Sequence, residues 1–467
     1  MNFSYLRREP GFYRRVFTLA LPVVLQNLIT TSLGFMDTFM VGLVGQEQMS
    51  AVTVANVPIY IIQLIVFGLQ SGSRVLISQF WGRGDRESIN RVMGIGFFVA
   101  GGISTLCALT MGLFPRQVLM LITDNARLVE LGTSYIRIVG FSYILNSLSS
   151  IYIGMQQSIE NPRFGMTVFA ISTVCNTVGN YILIFGKLGL PALGITGAAI
   201  ATFSSRVVEF VISLVYALHC KQMPLLPACI LRPGKATFRS FVKFSTPVLL
   251  NETLWGTGTS LYTVIMGHMA GSTDLISAYT VAGNIDKMVT VAIFGVAAAA
   301  AVIVGKEGGM GGKNGMGGKN AYPIGQALTF VAFCTGFGVA IAEQLLFWLV
   351  LKPHVLPLFS MTAASASLCV TMMICYSISA PLHAFATTGI VGVLRGGGDV
   401  RIAMLIDVLP LWCFTLPLLV LLGLVLHAPI AIFCFIMATE SALKVPFGLH
   451  RIRSGKWIHD VTQDLNA

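Results

Sequence analysis

Runs of about twenty apolar residues recur along nearly the whole of this 467-residue chain, each long enough to cross a ~30 Å hydrocarbon layer as a helix. In lipid a spanning segment must satisfy its backbone groups internally, so such runs dictate helices that cross a membrane. The spans fall near residues 17–42, 51–75, 93–114, 134–157, 165–186 and 195–218, then 241–267, 276–304, 322–351, 361–387, 402–426 and 429–449. Charge clusters and Gly, Pro or Asn turns separate them. The expected fold is an all-α polytopic membrane protein with twelve transmembrane helices. Composition agrees, with 55% apolar and 10% charged residues, against about 25% charged in soluble proteins. A soluble enzyme, a DNA-binding protein and a secreted disulfide scaffold are excluded. The nine cysteines form no CxxC and lie mostly inside apolar runs, where a thiol is a small hydrophobe.

Charge placement tests this topology independently. Twenty-three of the thirty Lys and Arg fall on the side of the N-terminus. Arg116, Arg127, Arg137, Lys187 and Lys352 fall on the other side or at its edge, and Arg206 and Lys287 lie inside spans. This bias predicts a cell-membrane protein with both termini in the cytoplasm. The net charge of +11 is then mostly loop charge and calls for no nucleic acid. The segment MNFSYLRREPGFYRR reads as a cytoplasmic tail, because the apolar run behind it is too long for a cleaved signal.

The second half of the chain repeats the first. At an offset of 225 Pro22 falls on Pro247 and Gly42 on Gly267, and at 227 Ser50, Ala51, Gly68 and Val75 fall on Ser277, Ala278, Gly295 and Val302. At 238 Gly154, Arg163, Cys175 and Pro191 fall on Gly392, Arg401, Cys413 and Pro429. Two pseudo-symmetric six-helix bundles are expected, over residues 1–218 and 241–467, with a polar linker at 219–240. The later jump in offset matches a tandem GMGGKN at Gly309–Asn314 and Gly315–Asn320, inside a Gly-rich segment, 305–320, expected to form a flexible cytoplasmic loop. That segment lacks GxxxxGK[ST] and a preceding strand, so it is not a nucleotide loop. Parallel repeats usually build transporters with a path between the halves. A single chain carrying both halves is expected to act as a monomer among membrane lipids.

Ionisable groups inside hydrocarbon cost several kcal/mol, so each is a candidate site. Asp37 in LGFMDTFMVG has no base within helical reach and is read as a carboxylate for a cation or proton, the alternative being an interfacial aspartate. Asn176 and Asn180 share one helical face and are either hard oxygen donors or helix-to-helix glue. Thr202, taken alone, is a hydroxyl that bonds its own helix. Arg206 and Glu209 are spaced to neutralise each other. Glu252, beside Asn251, has no neighbouring cation in sequence and is a second-half candidate, as is Asp286 next to Lys287. Asp407, Glu343 and Glu440 read as structural, with Glu440 four residues from Lys444. Trp255, Tyr262 and Tyr279 are candidates for a substrate cavity. No His, Cys or acid set has metal-ligand spacing, and no nucleophile has a base beside it, so an intramembrane enzyme lacks its parts.

MDTFMVG after Pro22, GRGD after the second span, NTVGNYILIFG with LGLPALGITGAAIAT, and LRGGGD after the tenth, in this order across nearly the whole chain, resemble the multidrug and toxic compound extrusion (MATE) family. The resemblance implies secondary antiport, in which Na⁺ or H⁺ drives export of cationic or amphiphilic organic compounds without a cofactor. It places the coupling cation at Asp37, Asn176, Asn180 and Thr202. Some relatives carry Asp where this chain has Asn180. One branch also uses a seventh-span Glu, matched by Glu252, with a tenth-span Asp that this chain lacks. A lipid or lipid-linked oligosaccharide flippase is the alternative, and would need Arg or Lys in the central cavity, for which Arg206 and Lys287 are thin material. A non-transporting scaffold would not need buried unpaired acids.

Overall fold

The computed structural model describes residues 11–462 apart from 270, 315–316, 356–361 and 428. Six long helices occupy the first half: α1 Phe12–Gly42, α2 Gln46–Arg83, α3 Arg86–Leu113, α4 Ala126–Ser158, α5 Pro162–Phe185 and α6 Gly194–His219. Six follow: α7 Lys235–Gly267, α8 Ser272–Asn314, α9 Gly317–Leu346 continued by π turns over Phe347–Val355, α10 Ala363–Leu394, α11 Val400–Val425 and α12 Ile430–Arg453. Each coincides with an expected span. Among the described residues, eleven of them are long and apolar enough to cross a membrane. The other, α7, is as long but carries NETLWGTGTS through its middle.

The helices outrun their apolar windows, and polar side chains cap two of them in the first half. Asp85 accepts from Ser88 N at 3.0 Å to start α3, directly after Gly84 closes α2 at φ 74°. Asn125 accepts from the backbone of Arg127 and Leu128 to start α4. The tail residues 1–10 lie outside the described residues, and α1 already begins at Phe12.

Helix pairing repeats as the sequence does. In the first half α4 packs on α2, α3 and α6, and α5 on α6; in the second α10 packs on α8, α9 and α12, the equivalent set. The chain divides into two compact units, one of residues 25–249 and one of residues through Val24 with those from Leu250. The division thus falls inside α1 and α7, two residues beyond the repeated Pro22 and Pro247, and not in the linker 219–240. The linker itself belongs to the first unit. Its Leu226 N–H donates to Asn90 Oδ1 at 3.1 Å, and a short helix, Pro227–Leu231, rests on α3.

The Gly-rich segment 305–320 differs from expectation: residues 305–314 continue α8, and 317–320 open α9. Gly305, Gly308 and Gly309 form a buried small-residue face, so packing offsets the ~1 kcal/mol per residue by which Gly disfavours a helix.

Two glycines mark matching close approaches. A Cβ on Gly68 would lie 2.7 Å from Leu249 Cδ1, and one on Gly295 would press on Val24 and lie 3.0 Å from Ala20 O. Gly295 is the repeat of Gly68, as Leu249 is of Val24. One turn on, a Cβ at Gly72 would meet Ser245 Cα at 2.6 Å. Gly72→Val is therefore expected to cost about 1–3 kcal/mol by overpacking, read as a lower melting temperature in detergent, whereas Gly102→Ala, with nothing within 4 Å, should melt no lower than wild type.

Candidate functional site

In the first unit Asn176 and Asn180 are one turn apart on α5, both buried, and α6 runs close alongside because Gly179 lets Ala201 approach. A hydrogen-bonded chain follows. Asn180 Nδ2 donates to Asp37 Oδ1 at 2.6 Å and to Asn176 Oδ1 at 2.9 Å, and Asn176 Nδ2 donates to Thr202 Oγ1 at 3.4 Å. Three helices thus bring together all four residues that the resemblance implied for the coupling cation. Both amide hydrogens of Asn180 are used, while its Oδ1 is buried with no hydrogen-bond partner. A buried carbonyl oxygen without a donor, beside a carboxylate, can accept from a protonated acid or ligate a small hard cation.

Asp37 also lines a cavity of about 560 Å³ together with Asn56, Gln63, Tyr135, Tyr143 and Arg206. Gln63 donates to the Tyr143 hydroxyl at 2.7 Å, and Tyr135 donates to Asn56 Oδ1 at 3.4 Å, so polar groups on the wall are held in fixed directions. Aromatic faces and amides on one wall suit an organic guest with both apolar and polar parts. Arg206 pairs with Glu209 at 2.7 Å, as their spacing predicted, and Glu209 also accepts from Asn146 and Ser172.

The second half corrects several expectations. Glu252 does have a cation: Arg395 Nη1 lies 2.6 Å from its Oε1, and the Arg395 side chain is 3% exposed. Asp407 and Glu440, which the sequence reads as structural, are tied to Lys444 Nζ at 2.7 and 2.6 Å, and Lys444 is buried. Asn251 Nδ2 donates to Asp407 Oδ2 at 2.8 Å. Of the three aromatic residues considered for a substrate cavity, Trp255 and Tyr279 are half-buried. Tyr262 is buried and donates to Glu440 Oε2 at 2.7 Å, and Trp255 and Tyr279 pack against the same apolar core. Asp286 is half-buried on α8 while Lys287 is exposed. Glu343 is fully buried, and Ser377 Oγ donates to its Oε2 at 3.0 Å. His383 is held to Ser441 at 3.2 Å.

By position along the chain Arg395 and Lys444 group with the basic residues of the N-terminal side. The signal that identifies Lys444 is the repeat itself, since the offset of 238 places Thr202 on Glu440 and Arg206 on Lys444.

Comparison with known proteins follows the same lines. The MatE family model matches residues 22–182. The chain is 24% identical over 66% of its length, and 67% of the other's, to the probable multidrug resistance protein NorM of Thermotoga maritima. It is 25% identical over 88% of both chains to the multidrug resistance protein MdtK of Edwardsiella ictaluri. An outward-facing structure of a multidrug resistance MATE family transporter of the MOP superfamily superposes with a TM-score of 0.82 at 17% identity, over 97% of this chain and 98% of that one. A MOP superfamily transporter from Pyrococcus furiosus superposes at 0.81, with the same identity and coverage. These structures share the fold of twelve helices in two bundles.

Removing one partner of a buried ion pair leaves an uncompensated charge, at a cost of about 3–5 kcal/mol. Arg395→Met should therefore lower the detergent melting temperature strongly, and adding Glu252→Gln should restore most of the loss. Equal melting of Arg395→Met and wild type would contradict the pairing.

Proposed function

We propose that this chain, a member of the multidrug and toxic compound extrusion family, is a secondary antiporter that exports cationic or amphiphilic organic compounds in exchange for Na⁺ or H⁺ by alternating access. It is a multi-pass membrane protein and a transporter, not an enzyme. The observation that carries the reading is Asp37, the carboxylate on the cavity wall whose one close partner among the described residues is the amide of Asn180, itself holding an unused oxygen.

Ionised, Asp37 makes burial of its face of α1 costly and attracts a cation from the cavity. Neutralised by H⁺ or Na⁺, it removes that cost and shifts the balance between two packings of the same helices. A cation can drive transport only by favouring one packing over the other, and a lone carboxylate facing a cavity supplies that difference. Asn176 and Thr202 keep Asn180 oriented toward Asp37. The export cargo follows from the polar and aromatic cavity wall and from the named activities of the NorM and MdtK relatives. The flippase reading is less well supported, because Arg206, the base on this cavity wall, is already held by Glu209. The same reading has the chain working as a monomer in the cell membrane with both termini cytoplasmic.

Transport of a cationic dye by reconstituted vesicles under imposed Na⁺ and pH gradients tests the proposal. Asp37→Asn should abolish gradient-driven export, and export equal to wild type would sink the assignment. Asn180→Ala removes a hydrogen bond that stabilises the ionised carboxylate, worth about 1.5–3 kcal/mol, so H⁺-driven export should be half-maximal at roughly tenfold less H⁺ or beyond.

A further inference from the structure

The second half contains an acid and an amide joined as Asp37 and Asn180 are, with the two helices exchanging roles. In the first half the acid is on the leading helix, α1, and the amide on the fifth, α5. In the second the amide, Asn251, is on the leading helix, α7, and the acid, Asp407, is on the fifth, α11. Both stand eleven residues toward the N-terminal ends of their helices from the positions that repeat Asp37 and Asn180, namely Tyr262 and Leu418. The chemistry is matched in detail. Asn251 is 1% exposed, its Nδ2 donates to the aspartate, and its Oδ1 is buried with no hydrogen-bond partner. On the sixth helix of each half, Thr202 and Arg206 are replaced by Glu440 and Lys444.

One difference sets the two apart. In the second half a cation is already present: Lys444 Nζ lies 2.7 Å from Asp407 Oδ1 and 2.6 Å from Glu440 Oε1, in reach of both carboxylates. Arg395 completes the set, on Glu252 at 2.6 Å and 3.9 Å from the other oxygen of Asp407, while Tyr262 donates to Glu440 and His383 is engaged with Ser441. Three carboxylates thus face two permanent cations. Arg206, at the equivalent position of the first half, turns to Glu209 and leaves Asp37 to its amide.

We infer that Lys444 is the resident cation of a second acid–amide site, formed by Asn251, Asp407 and Glu440, and that its ammonium takes the place of a mobile coupling ion in this half. The inference rests on the reading of Asp37 as the exchanging site, and it takes the Asp407 site out of cation exchange. Removing the ammonium leaves three carboxylates with one guanidinium beside an unused amide oxygen, an arrangement that will recruit H⁺ or Na⁺ from outside the chain.

The test measures bound cation on purified protein, as ²²Na⁺ retained and as protons taken up, in an Asp37→Asn background that silences the first site. Asp37→Asn alone should bind no cation that a further Asp407→Asn removes. Adding Lys444→Gln should gain one cation per chain, lost again on adding Asp407→Asn, while Lys444→Arg should gain none. The inference is overturned if folded Lys444→Gln protein gains nothing, or if Asp37→Asn with Lys444 intact already binds a cation through Asp407. The second measurement decides the matter even if Lys444→Gln fails to fold. Absence of a difference between wild type and Asp37→Asn would instead count against the coupling role of Asp37, and leaves the Lys444 comparison readable.

Discussion

A charge inside hydrocarbon has to be neutralised by something, and the arrangement of this protein's interior follows from how each half meets that demand. Around Asn251 in the second half the neutralising groups are covalently attached: Arg395 for Glu252, and Lys444 for Asp407 and Glu440. In the first half Arg206 and Glu209 cancel within one helix, and Asp37 is left with an amide. An amide orients a carboxylate without cancelling its charge. The first half therefore keeps one interior acid whose neutralisation can come from solution, beside a cavity large enough for an organic molecule. That asymmetry, on a duplicated scaffold, separates a place that can exchange an ion from one that holds its own.

The scaffold is symmetric where packing decides and asymmetric where chemistry does. Equivalent helices pair in both halves, and the close approaches of Gly68 to Leu249 and of Gly295 to Val24 are copies of one contact. In each the first part of the leading helix, through Pro22 or Pro247, belongs with the helices of the opposite half of the sequence. Small residues recur there because hydrocarbon supplies no hydrophobic drive between helices, so association depends on van der Waals contact at short range.

Much of this was legible without coordinates. The twelve spans follow from apolar run length alone, since a helix must reach across the bilayer whatever its neighbours do. The duplication follows from aligned prolines and glycines, and the four residues at Asp37 follow from the family resemblance. The Gly-rich segment is helical where its composition predicts a loop, because propensity describes a helix in isolation, whereas Gly305, Gly308 and Gly309 are stabilised by burial. The interior roles of Arg395 and Lys444 are hidden for a related reason: hydropathy locates a residue along the chain and is silent about what it faces.

The sequence by itself determined which segments span, how many there are, that they come in two related sets, and which acids lie inside them, because each of these depends on local composition and periodicity. Only the tertiary structure decided which acids have partners. Asn180 reaches Asp37 across 143 residues, Arg395 reaches Glu252 across 143, and Asn251 reaches Asp407 across 156. At such separations spacing along one helix carries no information, and the packing of one helix on another alone distinguishes a carboxylate held by a guanidinium from one open to an ion.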